Sequence, residues 1–134
     1  MMRKNIFLLF FCLTIIMSCK SISNKKFTNE FFSNPSVIYN LKKNKLGNEI
    51  NILDSEKLVV NGIKTFKNDS LNINIVNSKN DFIDYDLKQY TVNRDLAFIV
   101  LWNFGKNESF WFFFNKGEST KKWYLIQTLK KTTR

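Results

Sequence analysis

The side chains that could do chemistry in this chain are few. Asp81, Asp84 and Asp86 lie close together, and Asp84 and Asp86 share a face if the segment is a strand. Such carboxylates could hold a Ca²⁺ ion or move a proton. The chain has no EF-hand loop and no second carboxylate cluster, so the plain reading is a solvated strand edge or loop. There is no histidine, which excludes Ser-His-Asp and Cys-His catalysis and His-ligated zinc. With only two cysteines, neither a four-cysteine metal site nor a disulfide-dense scaffold can form. No cofactor is implied. The other residues with a function to offer are aromatic, at 16% of the chain.

Those aromatics concentrate in three segments, 96–104, 109–115 and 122–129, separated by polar turns at 105–108 and 116–121. The spacing predicts an antiparallel meander with short connections. Phe98, Trp102 and Phe104 share one face of the first strand. Phe110, Phe112 and Phe114 share one face of the second, and Trp111 and Phe113 take the other. Trp123 and Tyr124 point opposite ways on the third. Both faces are thus apolar. One must cover a core, and the other packs on a further layer, lines a cavity or meets a partner. Trp111, Phe113 and Tyr124 are the candidate binding surface, for a protein or an apolar ligand.

Other elements must position that meander. Residues 27–46 read as one kinked helix or two short ones, with Thr28 as the first N-cap. Asn34 caps a restart in which Pro35 occupies the first helical position. Val37, Ile38 and Leu41 form its apolar stripe, and Gly47 ends the region. From Glu49 the period switches to two. Residues 57–60 and 63–66, joined by Asn61-Gly62, predict a hairpin with a type I′ turn. Leu71, Ile73 and Ile75 alternate with Asn72, Asn74 and Val76 as a half-exposed strand. Residues 81–92 are either strands or loop. The expected architecture is α+β: an N-terminal helix, or two short helices, packed on a curled antiparallel sheet that ends in a three-stranded aromatic meander.

The start of the chain has a different character. Arg3-Lys4 precedes an apolar run from residue 6 to 17, about 18 Å as a helix and short of the ~30 Å bilayer core. A basic start, a short apolar run and a small residue describe a secretory signal peptide. The end of that run, Ile16-Met17-Ser18-Cys19, resembles the lipobox of bacterial lipoproteins. The resemblance implies cleavage between Ser18 and Cys19, a diacylglyceryl thioether on Cys19 and a place in the bacterial cell envelope, on the outer membrane if the cell has one. The resulting domains are a signal peptide at 1–18, a lipidated tether at 19–26 and a single α+β domain at 27–134. Cleavage would remove two of 21 basic residues and none of 11 acidic ones, leaving a charge of about +8 on about 116 residues. The tether lysines could also meet anionic headgroups. The remaining lysines are scattered, and an exported protein has little access to nucleic acid, so nucleic-acid binding is not expected.

The helical start, the curled sheet and the last hairpin together resemble the nuclear-transport-factor-like and cystatin-like α+β families. In that hairpin, residues 110–115 lead through a turn with Gly117 into Lys122-Trp123-Tyr124-Leu125-Ile126. The resemblance implies a sheet wrapped around a helix, sometimes around a pocket, and transfers no catalytic residue. The expected function is a membrane-anchored, non-enzymatic binding module. A small enzyme with an Asp/Tyr pocket and an inhibitor or immunity-type lipoprotein are the alternatives.

Overall fold

The computed structural model describes residues 25–43, 45–59, 65–79 and 82–133. Two short helices pack on a curled seven-stranded sheet, a half-barrel of α+β class. Helix α1 covers 25–33 and α2 covers Pro35–Lys42. The strands are β1 (Glu49–Leu53), β2 (Thr65–Asn68), β3 (Leu71–Val76), β4 (Tyr85–Val92), β5 (Leu96–Asn103), β6 (Glu108–Lys116) and β7 (Trp123–Thr132), in spatial order β2-β3-β1-β4-β5-β6-β7.

The helical region divides where Asn34-Pro35 predicts. The Asn34 side chain accepts from the Ser36 and Val37 N–H groups at 3.0 and 3.3 Å, and Pro35 opens the helix where no N–H donor is needed. Val37, Ile38 and Leu41 are buried as expected. Gly47 leaves the region at φ +115°, a conformation that costs a side chain dearly. Thr28 differs from expectation. It lies inside α1, fully buried, and its hydroxyl meets that of Tyr90 on β4. The helix already runs at residue 25, so Thr28 faces the sheet and cannot cap.

The sheet is mixed, whereas an antiparallel one was expected. β1 lies in its middle and runs parallel to both β3 and β4. No helical crossover is needed for either pairing. β2 carries the chain back between β1 and β3, and β4 begins at the level where β1 ends, with only Ile52–Tyr85 and Leu53–Asp86 paired. The stagger joins a small unit, β1–β3, to the long meander β4–β7.

The 57–66 hairpin is also corrected in its described part. Residues 57–59 are not a strand. The buried Asp54 carboxylate accepts from the N–H groups of Leu58 and Val59 at 2.8 and 2.9 Å, and Lys57 has φ +54°. Those donors are therefore lost to any ladder. β2 pairs with β3 through a turn at Asp69-Ser70. Asn61-Gly62 lies outside the described residues. The ambiguous segment resolves into one strand, β4, while Phe82 and Ile83 precede it.

The three predicted strands pair consecutively and antiparallel as β5, β6 and β7, and β4 extends the meander by one strand on the β5 side. Its concave face carries Ile99, Leu101, Phe110, Phe112, Phe114 and Trp123, all buried. Phe27 and Phe31, one turn apart on α1, enter this face. Phe27 lies 5.4 Å from Phe114 and 4.9 Å from Trp123, and Phe31 lies 5.4 Å from Phe112, all edge-on. Leu125 packs beside them, partly buried. The helix is held in register by polar contacts as well: Glu30 accepts the Trp123 N–H at 2.7 Å, and Lys26 donates to the Lys121 carbonyl at 2.9 Å.

Phe112 is fully buried at the centre of this packing, and truncation leaves a cavity that the helix cannot fill without moving. Phe112→Ala is expected to cost ~3–5 kcal/mol, read as a fall in the denaturant midpoint. Asn34→Ala should cost about 1 kcal/mol in the same measurement.

Candidate functional site

The convex face of the meander follows from the register. Leu96, Asn115 and Tyr124 form one cross-strand row; Phe98, Phe113 and Gln127 the next; Val100, Trp111 and Leu129 the third; and Trp102, Ser109 and Lys131 the last. Between the first two rows the β6–β7 pairing shifts, so that Leu125 and Gln127 oppose adjacent residues of β6 and Ile126 opposes none. Such a bulge re-aims the side chain of the extra residue. Here Ile126 turns onto the convex face, where it borders a groove of ≈ 250 Å³ together with Leu96, Phe98, Phe113 and Thr91.

Three of the side chains on this end of the face are strongly exposed: Leu96 at 56%, Tyr124 at 50% and Ile126 at 61%. Between Leu96 and Ile126, Phe98 and Phe113 stack at 4.8 Å and are half-buried. No described element lies over the groove. Tyr124 is held in place from below. A Cβ at Gly117 would come within 2.9 Å of the Tyr124 ring, and the Tyr124 hydroxyl bonds to Thr120 at 3.0 Å.

The three aromatics singled out in the sequence thus share the convex face but not one environment. Phe113 floors the groove and Tyr124 flanks its end. Trp111 sits one row away and is half-buried by its neighbours. The Lys131 ammonium lies 3.7 Å from its ring centroid, Phe98 packs against it at 5.5 Å, and its indole N–H donates to Ser109 at 2.9 Å. Leu96 and Ile126 were missed. The residue after a polar turn and the middle of an apolar run carry no mark of exposure, and the bulge that turns Ile126 outward arises from pairing. Ser18 and Cys19 lie outside the described residues.

The opposite end of the sheet holds a second cleft of ≈ 250 Å³, lined by Lys45, Ile83, Asp84, Tyr85, Asn103 and Lys106 among others. Its polar groups are engaged with one another. Both oxygens of Asp84 accept from the Lys45 ammonium, at 2.6 and 2.7 Å, and one also takes the Asn51 N–H at 2.8 Å. Asn103 accepts the Gly105 N–H, and the buried Tyr85 hydroxyl donates to the Leu41 carbonyl at 3.0 Å. The expected pairing of Asp84 with Asp86 on one strand is not what forms. Asp84 precedes β4 and ties β1 to it, while Asp86 on β4 pairs with Lys88. Asp81 is outside the described residues. Among the described residues no group of three His, Cys, Asp or Glu could hold a metal ion. Beside this cleft Glu108 bonds Lys130 through one carboxylate oxygen at 2.8 Å, and its other oxygen is buried without a hydrogen-bond partner.

Comparison with protein-family models, with curated proteins and with solved structures finds no match to this chain.

Two tyrosines report on the burial of the concave face. Tyr85 is pushed up from 10.0 to about 12 by burial first and then by the Asp84 charge, with the Asn103 hydrogen bond opposing. Tyr90 is also pushed up to about 12, by burial first, with the Thr28 hydroxyl opposing and the Asp54 charge adding. The folded state thus keeps protons that the unfolded chain releases from pH 10 upward. Their contribution is complete below pH 10 and is lost as the pH rises toward about 12. Stability measured by denaturant titration should therefore decline steeply across that window. Tyr85→Phe and Tyr90→Phe should each flatten the decline.

Proposed function

We propose that this protein is a lipid-anchored, non-enzymatic component of the cell envelope whose domain binds a partner through the groove on its convex face. The observation that carries the reading is the exposure of Leu96 and Ile126 around the groove that the Phe98–Phe113 stack floors, with Tyr124 exposed at the end of the same face. Three large apolar side chains held in water by rigid neighbours cost solvation free energy, and a contiguous patch of this kind is characteristic of a contact surface. The far cleft favours the enzymatic alternative less. Its carboxylate is held by two donors and its tyrosine points at a backbone carbonyl, so neither is poised to act on a bound molecule. Among the described residues no helix is long and apolar enough to cross a membrane. The anchor is assigned to Cys19 on the lipobox resemblance of residues 16–19.

A photo-reactive phenylalanine analogue placed at Ile126 should form adducts in the native envelope, while the same group at the exposed Lys106, on the β5–β6 turn at the opposite end of the sheet, should not. Equal reaction at both positions, or none at 126, would remove the binding-module reading. Cys19→Ala should abolish labelling with palmitate and block processing at Ser18.

A further inference from the structure

The groove lies at the end of the sheet from which the chain runs toward its start, and that end is basic. Three segments meet there: the first turn of α1, the β4–β5 turn at 93–95 and the β6–β7 turn at 117–122. They are tied together by the Lys26 ammonium on the Lys121 carbonyl at 2.9 Å, by the Lys116 N–H on the Asp95 carbonyl at 2.8 Å and by the Gly117 N–H on the Lys122 carbonyl at 2.8 Å. They bring together Lys25, Lys26, Arg94, Lys121 and Lys122, with Lys116 at the adjoining end of β6. The acidic residues among them are Glu30, Asp95 and Glu118; Glu30 is engaged by the Trp123 N–H and Lys26, and Asp95 lies 3.9 Å from Arg94, which leaves the basic groups in excess by three. The exposed Leu96, Tyr124 and Ile126 on the convex face follow directly on the two turns that carry Arg94, Lys121 and Lys122, whereas Lys25 and Lys26 sit on α1 and Lys116 lies over Trp123 on the concave side.

We propose that the occupant of the groove is the anionic surface of the membrane that holds the chain, with Leu96, Tyr124 and Ile126 entering the headgroup layer and the basic turns lying on it. The inference rests on the binding reading above and names the partner. Charge complementarity is one argument, since lysine and arginine near an anionic leaflet are each attracted to it. Amphipathic tyrosine is favoured at the same depth. The tether is the other. Six Cα–Cα steps separate Cys19 from residue 25, and fully extended they span only ~20 Å. A single α-helix with its side chains is already ~10–12 Å across, so even the smallest folded partner would take up about half of that reach. Lipid needs no such room.

The test uses the chain from residue 19 carrying Cys19→Ser. It keeps the whole buried core, which runs from Phe27 to Trp123. It should co-sediment with vesicles of phosphatidylcholine containing phosphatidylglycerol and bind roughly tenfold or more weakly to phosphatidylcholine alone, with the difference shrinking as salt rises. Arg94→Glu with Lys122→Glu should weaken binding to the anionic vesicles by roughly tenfold or more. Leu96→Ser with Ile126→Ser should weaken it several-fold while the melting temperature stays put, because both side chains are exposed. Equal binding to both vesicle types, or unchanged binding by the Leu96/Ile126 double variant, overturns the proposal. The photo-reactive group at position 126 separates this proposal from the broader one. Lipid adducts support it, and a protein adduct overturns the lipid occupant while leaving a binding groove. Absence of both removes the groove altogether.

Discussion

Everything in this fold depends on two phenylalanines one helical turn apart. Phe27 and Phe31 fill the concavity of the meander, edge-on to Phe112, Phe114 and Trp123. A sheet curls when its inner face closes on something, and here the contents are aromatic rings on a single short helix. Such a helix has little stability of its own. It is held by the rings it inserts and by Glu30 and Lys26, which bind backbone groups at the β6–β7 end. The dependence is mutual, because without α1 the inner faces of β5, β6 and β7 would lie open to water. The remaining helix and the small β1–β3 unit extend the same core sideways. Phe32 stacks on Phe66 at 4.4 Å, and the Tyr85 hydroxyl reaches the Leu41 carbonyl.

What the sequence made legible was whatever local periodicity controls. The apolar segments 96–104 and 109–115 identified the strands, and alternation separated Phe110, Phe112 and Phe114 from Trp111 and Phe113, because the side-chain period of a strand is two wherever it lies. Asn34-Pro35 marked the helix break because capping is decided within three residues. What stayed hidden is set by partners distant in sequence. Leu58 and Val59 look like strand residues, but the carboxylate of Asp54 takes their N–H groups first. Thr28 resembles a cap until the hydroxyl of Tyr90, sixty-two positions away, is found against it. The parallel neighbours of β1 follow from the stagger of β4, which no residue type announces.

The candidate site was legible in kind but displaced in position. Aromatics on both faces of β6 made an apolar convex face inevitable. The most open part of that face, however, lies one row away from Trp111. Lys131 on the next strand covers the indole, a cation–π contact that depends on the β6–β7 register. The same register contains the bulge that releases Ile126. Bulges and lysines are also how natural sheets blunt an edge, and β7 is the long edge strand of this one. Lys130 and Lys131 near its end and the irregularity at Ile126 both discourage another chain from adding alongside. The feature that opens the groove therefore has a structural use whatever the groove binds.

The two ends of the sheet differ in a way that bears on which of them meets a partner. Both ends hold ion pairs, Lys45 with Asp84 and Lys130 with Glu108 at the β5–β6 turn end, and Lys26 with Glu30 and Arg94 with Asp95 at the other. At the end near residue 25 the basic side chains outnumber the acidic ones, and exposed apolar groups adjoin them. An apolar patch alone would invite self-association, and a basic patch alone would bind anions of many kinds. Side by side on rigid turns they favour a surface that is itself negative outside and apolar beneath, because both free-energy terms are then gained in one orientation. Which way the domain faces would follow from which end of the sheet its tether leaves, and α1 begins at the end where the groove lies.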